Sequence, residues 1–452
     1  MKRKRISLTT TQIIMLSFLL LIGVGSVLLA LPVSAAGGEA VAWLDALFTA
    51  TTAACVTGLV TLPTVSAWSP FGQVVILVLI QIGGLGVITI VSGLMIALHC
   101  RIDMGDRLLI QDAFNLNTLS GLVRFIKKVL LGTLCVEGAG ALLYMLVFVP
   151  KYGVKGIWIS VFNAVSAFCN AGIDIIGENS LCDYAANPVI NLVTCALIVL
   201  GGIGYIVWWD VLRVTKKFGV MGRKCWQALS LHSKIAISAS VFFLAFGTAA
   251  VFLLEYNNPQ TLAGRTFGEK LMLSFFQSVT TRTAGFVTIP QQDLTDATAL
   301  VSLLLMFVGG SPVGTAGGVK TVTVVVLAAS ALATIRNKNE VTLFQRNISR
   351  QAVSKAVAVV AMSFFIAFVS TVLLAAVTDA PALDILYETI SATATVGLTR
   401  NLTPQLNDFG KAIIIATMYL GRVGPISLAI AFNMRKERQN MIKNPTEEIS
   451  VG

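Results

Sequence analysis

Charge is scarce in this chain. Asp, Glu, Lys and Arg make up 12% of its 452 residues, while 56% are hydrophobic; an average soluble domain carries about 25% charged residues. Histidine occurs only twice, as His99 and His232, so the usual acid–base and metal-binding side chain is nearly missing. Both sit at the ends of apolar runs and read as ordinary interfacial residues. The seven cysteines have no paired spacing, which excludes a visible disulfide framework or zinc pattern. With no histidine cluster, no paired acids and no activated nucleophile, the chain has no toolkit for catalysis and is not expected to be an enzyme.

What is present is long apolar sequence. Runs of about 20 residues, enough to cross about 30 Å of hydrocarbon as helices, predict eight spans over 12–32, 71–99, 126–149, 188–212, 234–254, 298–334, 353–377 and 411–432. The first follows Lys2-Arg3-Lys4-Arg5 and precedes Val33-Ser34-Ala35, in the manner of a signal peptide. Its apolar core is longer than a signal core, so it is read as a membrane span. Of the 33 Lys and Arg, 24 fall in the N-terminus, the loops near 100–128, 213–234 and 336–355, and the tail after Phe432. Positive charge stays on the cytoplasmic side, so both termini are expected there, in a multi-pass protein of the plasma membrane. The net charge of +11 then marks topology and attraction to anionic lipid; no nucleic-acid partner is expected.

Four glycines, Gly58, Gly172, Gly285 and Gly397, recur at steps of 114, 113 and 112 residues. They close the stretches Val56-Thr57-Gly58, Asn170-Ala171-Gly172, Thr283-Ala284-Gly285 and Thr395-Val396-Gly397, and each has an aromatic ten residues before it: Phe48, Phe162, Phe275 and Tyr387. A semi-apolar segment of about a dozen residues leads to each glycine and is too short to cross. The unit therefore reads as span, re-entrant helix, extended return, span, occurring four times. The fold class expected is an all-α membrane protein of four pseudo-symmetric membrane–pore–membrane repeats, with eight transmembrane and four re-entrant pore helices. The repeats occupy 1–100, 101–218, 219–339 and 340–434, and a cytoplasmic tail 435–452. Glycine permits backbone angles and close approaches that other residues resist, and carbonyl oxygens can replace an ion's water shell. The twelve residues of the four stretches contain no carboxylate, so a filter made of them selects with backbone oxygens. Asp174, Glu178, Asp183, Asp293 and Asp296 lie in nearby outer loops, either enriching cations there or standing as ordinary solvated acids.

A second glycine motif lies in each second span. Gly83-Gly84-Leu85-Gly86 and Gly201-Gly202-Ile203-Gly204 read as close helix packing through small residues. The third, Gly309-Gly310-Ser311-Pro312-Val313-Gly314-Thr315-Ala316-Gly317-Gly318-Val319-Lys320, cannot be an uninterrupted helix. It reads as a non-helical loop inside the membrane, facing a watery cavity, and as a candidate gate. Arg422 holds the equivalent place in the fourth copy. A mid-span charge is costly and usually functional, either pacing the ion or forming an ion pair. Glu137 is the one mid-span acid, a candidate partner for Arg422 or Lys320. Arg282, three residues before Gly285, would block an ion path if it faced one and is expected behind the return strand, bracing it. Alternating-access transporters also use broken helices, but usually in two inverted halves rather than four units of one orientation.

These four glycine stretches, the 309–320 stretch, Arg422 and the ending Ile449-Ser450-Val451-Gly452 together resemble the Trk/Ktr/HKT superfamily of potassium transporters, within it the membrane subunits of bacterial Ktr systems. The resemblance spans essentially the whole chain. It implies one potassium path per subunit, with potassium at the filter as the one metal ion, and channel-like conduction gated by the intramembrane loop. It also implies a homodimer and a cytosolic RCK-type ring of KtrA/KtrC-like regulatory subunits, supplied as separate chains, that binds ATP or ADP. No tightly bound cofactor is implied; sodium is a candidate activator. All four marked positions are glycine, as in potassium-selective members.

Overall fold

The computed structural model describes residues 9–98, 121–216, 225–338 and 340–424. The tail 435–452, Pro425, the end of the expected last span, His99, the first basic cluster, the whole 100–120 loop and residues 217–224 lie outside the described residues. The described chain is helical, with one two-stranded hairpin, Val341–Leu343 paired with Arg346–Ile348.

Among the described residues, four helices are long and apolar enough to cross a bilayer: α1 (Thr10–Leu29), α5 (Leu122–Tyr152), α9 (Leu231–Glu255) and α13 (Arg350–Ala375). A shorter helix follows each, namely α2 (Trp43–Cys55), α6 (Val154–Cys169), α10 (Phe267–Thr280) and α14 (Ala382–Ala394). After each short helix comes a return strand holding one marked glycine, and then a second rising segment. These are α3 (Pro70–Leu85) with α4 (Val87–Ala97), α7 (Pro188–Gly202) with α8 (Tyr205–Thr215), α11 (Asp296–Phe307) with α12 (Thr321–Ile335), and α15 (Asp408–Val423).

Local chemistry starts these helices where they start. Ser69, Asn187, Ser230, Thr295, Ser349 and Asn407 are N-caps whose side chains accept backbone N–H groups of the first turn, satisfying donors that have no intrahelical partner. Pro70 and Pro188 follow two of them in the first turn, where the missing N–H costs nothing. Leu20, Leu146, Leu253 and Phe364 are exposed on the four long helices, an apolar periphery suited to lipid. The short helices are the reverse: Phe48, Phe162, Phe276 and Tyr387 are fully buried.

Contacts between the units close on themselves. Each short helix packs on the long helix before it, and the second segment of each unit packs on the short helix of the next: α3 on α6, α7 on α10, α11 on α14, and α15 on α2. With its apolar helices and lack of a closed sheet, the chain is a multi-pass helical membrane protein.

Two expected straight spans are broken. The axes of α3 and α4 meet at 95°, and those of α7 and α8 at 98°. The breaks fall at Gly86 and Gly204, with φ of 86° and 91°, a region open to glycine and strained for other residues. Small-residue packing is also real in both copies. A Cβ on Gly83 would strike the carbonyl oxygen of Ala54, and one on Gly201 that of Phe168. The second glycine motif thus does two jobs within four residues: close approach first, then a corner.

The third unit is out of register by one residue. The aromatic ten before Gly285 is Phe275, yet the fully buried ring is Phe276, while Phe275 is half-buried against an outward groove with Phe252 and Leu271. Phe276→Ala should therefore lower the stability of the detergent-solubilised protein by about 3–5 kcal/mol, and Phe275→Ala by less than about 1 kcal/mol, compared by thermal unfolding. Equal losses would contradict the shifted register.

Candidate functional site

The return strands begin where the short helices stop. In units one, two and four the helix ends on a left-handed residue, Val56, Asn170 or Thr395, with φ of 55°, 59° and 51°. In each, that residue's N–H donates over 3.2 Å to the carbonyl three residues back, and the next N–H over 2.8 Å to the carbonyl five back. Val and Thr resist this conformation, at a cost of order 1–3 kcal/mol that neighbouring structure must carry. A hydroxyl six residues before each glycine supplies part of the compensation. Thr52 Oγ1 accepts from the Gly58 N–H at 2.9 Å, Ser391 Oγ from the Gly397 N–H at 3.0 Å, and Ser166 Oγ from the Ile173 N–H at 3.2 Å. In unit three the hydroxyl is Thr280, five before Gly285, and donates to the Phe286 carbonyl at 2.6 Å. The sequence pattern carried this signal as Ser or Thr near each helix end, but the role of Thr52, Ser166, Thr280 and Ser391 was not drawn from it.

The four glycines, distant in sequence, are brought together. A Cβ on Gly58 would lie 2.5 Å from the Ala171 carbonyl oxygen, one on Gly172 2.6 Å from that of Ala284, and one on Gly285 2.6 Å from that of Val396. A Cβ on Gly397 would strike the Thr57 carbonyl oxygen. The contacts run 58 to 172 to 285 to 397 and back, a closed ring of backbone in which side chains have no room. All four glycines line one cavity of about 490 Å³, together with Asp174, Glu178 and Asn401.

Asp174 is the acid of this cavity next to a ring glycine. Burial disfavours its charged form more than the Ser180 side chain and the Ile176 and Gly177 amides favour it, and its carboxyl is pushed up to about 6. Among the other outer acids, Glu178 lines the same cavity, whereas Asp296 pairs with Arg400 at 3.6 Å.

On the far side of the return strands lies the 308–320 segment, non-helical between α11 and α12. It folds back on itself through Gly309 N–H to Val319 O at 2.9 Å and Thr321 N–H to Gly310 O at 3.0 Å. It then docks into the break between α7 and α8. Ser311 N–H donates to Gly202 O at 2.8 Å, Thr315 N–H to Gly201 O at 3.2 Å, and Tyr205 N–H to Val313 O at 2.9 Å. The groups freed by breaking one helix are those that satisfy the loop. Thr315 Oγ1 lies 3.0 Å from Phe168 O and 3.1 Å from Asn170 Oδ1, so the loop touches the second return strand. Gly317 lies against Thr395, in the fourth, so closely that a Cβ would strike the threonine hydroxyl.

The charged residues expected to pair do not. Arg422 donates to Thr315 O at 2.8 Å and to Gly83 O at 2.5 Å, joining α15 to the loop and to the end of α3. Lys320 Nζ donates to Ala316 O at 2.5 Å and Gly317 O at 3.4 Å, within its own loop. Glu137 is buried on α5, held by Gln81 Nε2 at 3.2 Å and by the Cys169 thiol at 3.9 Å. Neither candidate pairing of Glu137, with Arg422 or with Lys320, is made: both cations bond backbone carbonyls, and Glu137 joins α5, α3 and the end of α6. Arg282 is buried and bonds to Ser240 O and Gly309 O, each at 3.2 Å.

Comparison with known proteins decides the family. The profile of the family described as TrkH: Cation transport protein matches residues 4–444. This chain belongs to that cation transport family. Ktr system potassium uptake protein B of Bacillus subtilis is 39% identical over 450 residues, covering 99% of this chain and 98% of the relative. Potassium/sodium uptake protein NtpJ of Enterococcus hirae is 37% identical over 457 residues, covering 100% and 99%. The crystal structure of the potassium transporter TrkH from Vibrio parahaemolyticus matches with a TM-score of 0.77 at 16% identity, over 96% of this chain and 86% of that one, which shows a shared fold. These relatives are named for potassium or potassium/sodium transport.

For a TrkH-family cation transporter, Asp174 has a pH consequence. Its carboxyl, pushed up to about 6 by burial, carries its charge mainly above that pH, and a carboxylate at a cavity mouth favours cations. Flux at low cation concentration should fall as the pH facing this cavity drops from about 7.5 to about 5. The Asp174→Asn variant should show the lower flux at both values. A variant that keeps the full pH dependence would remove Asp174 as its source.

Proposed function

We propose that this chain is the potassium-translocating subunit of a Ktr-type uptake system, conducting down the electrochemical gradient through the ring formed by 56–58, 170–172, 283–285 and 395–397. The observation that carries this reading is the closed contact ring of four glycines on one cavity. In this arrangement backbone carbonyls, with no side chains between them, take the place of water around a dehydrated ion. The cyclic packing of the short helices on successive second segments supports four pseudo-symmetric membrane–pore–membrane repeats. The short helices end at the ring, so their partially negative C-termini favour a cation there.

The 309–320 loop is the gate in this reading. It touches the second and fourth return strands, and Arg422 fastens it to α3. The names of the relatives suggest the ion and the system. Potassium is the cargo, sodium a candidate activator or second cargo, and the partners are a second copy of the chain and a cytosolic nucleotide-binding ring that shifts the loop.

Rubidium flux into vesicles containing the purified chain tests conduction, with sodium varied to test its role. Gly58→Ser should reduce potassium-over-sodium discrimination by at least about tenfold, the value of about 1.4 kcal/mol; unchanged selectivity would count decisively against the filter. Deleting Val313–Ala316 should raise flux and lessen dependence on the partner. An unchanged rate at normal expression would remove the gate role.

A further inference from the structure

The third return strand is built differently from the other three. In units one, two and four, the short helix closes with the same pair of backbone bonds onto a left-handed cap. In unit three the residue after the helix, Thr281, is right-handed, and the hydroxyl-to-glycine spacing is five residues instead of six. The left-handed residue, Thr283 with φ 64°, lies three positions beyond the helix end. The turn is one residue shorter and closes differently: Arg282 N–H donates to Val279 O at 3.1 Å, and Ala284 N–H to Thr280 O, four back, at 3.0 Å, where the other units reach five back.

Arg282 occupies this shortened turn, and its side chain adds a tie from the turn to α9 and to the loop. The guanidinium donates to Ser240 O on α9 and to Gly309 O, the first glycine of the 309–320 loop, each at 3.2 Å. Phe243, on the same helix as Ser240, lies under it at 5.9 Å. Gly309 is also where the loop folds back, through its N–H to Val319 O at 2.9 Å. A planar guanidinium with donors in a fixed fork transmits position better than a flexible ammonium. A charge held this deeply by neutral carbonyls is costly and is not retained for packing alone.

We propose that Arg282 is a positioning residue that couples the loop to the ring: it holds the third return strand in register only while Gly309 is in its present place. This rests on reading the ring as a filter and the loop as a gate. Movement of the loop would then change which ions pass as well as how many, through the strand that Arg282 ties to Gly309.

The experiment measures rubidium flux and its competition by sodium in vesicles containing the full chain. Four proteins are compared: the unaltered chain, Arg282→Gln, a chain lacking Val313–Ala316, and both changes combined, with Gly58→Ser as control. Arg282→Gln should lower rubidium-over-sodium selectivity by at least about fivefold, the lower end of typical coupling between sites. The loop deletion, with Arg282 intact, should lower selectivity as well as raise flux. The double variant should lose no more selectivity than the worse single one, because both interrupt the same link. Arg282→Lys should fall between the unaltered chain and Arg282→Gln. If Arg282→Gln does not fold, the loop deletion alone decides: higher flux at unchanged selectivity overturns the coupling. Additive losses, or a change in rate without one in selectivity, overturn it too. If Gly58→Ser leaves selectivity unchanged, the filter reading has failed; if Gly58→Ser lowers it and the other variants do not, only the coupling has failed.

Discussion

An apolar interior offers a freed backbone group no partner, and this chain breaks its apolar segments repeatedly. An unpaired backbone group there costs several kcal/mol, so each break is possible only beside another. The corner between α7 and α8 exposes the carbonyls of Gly201 and Gly202 and the N–H of Tyr205, and the 308–320 segment brings Thr315, Ser311 and Val313 to meet them. Neither would be stable without the other. The end of α3 releases the Gly83 carbonyl, and Arg422 arrives from α15, three hundred residues on, to take it. The interior is a set of matched interruptions, and the cyclic packing of the units is what puts them in register.

Glycine enters this structure for two different physical reasons. In the ring, left-handed angles and contact with the neighbouring strand's carbonyl both forbid a Cβ at Gly58, Gly172, Gly285 and Gly397. In the second segments, Gly83, Gly201 and Gly421 sit against the carbonyls of Ala54, Phe168 and Thr393, the residues four before each ring glycine. The second use serves the first. It lets a second segment pack close against the end of a short helix, beside the left-handed turn that follows.

Much of this was legible in the sequence because it depends on spacing. Four glycines at even intervals, short segments before them and scarce charge lead to the ring and its surroundings, and five glycines with Pro312 announce a loop where a helix would otherwise cross. Three things were not legible, each because it depends on a contact. Nothing in Gly83 to Gly86 distinguishes a packed helix from a corner, since the same residues do both. Phe275 and Phe276 are equally apolar, and only burial separates them. By charge, Glu137 was open as a partner of Arg422 or Lys320, but both cations bond backbone carbonyls instead. Charge pairing is a reliable guess where backbone is satisfied and a poor one where it is not.

The departures from fourfold likeness share one location. Unit three has the shortened turn, the buried Arg282 and the non-helical 308–320 segment, and that segment reaches the second and fourth return strands through Asn170 and Thr395. Its remaining tie, Arg282 to Gly309, leads back to the third strand. A symmetric ring treats every strand alike and offers a moving part no purchase. Here the moving part proposed as a gate is fastened to three of the four strands, and the first is reached only through Arg422 at Gly83. In the proposed coupling, a displacement of the loop would reach the ring. Conduction and selection would then shift together, and the sequence differences between copies are what would join them.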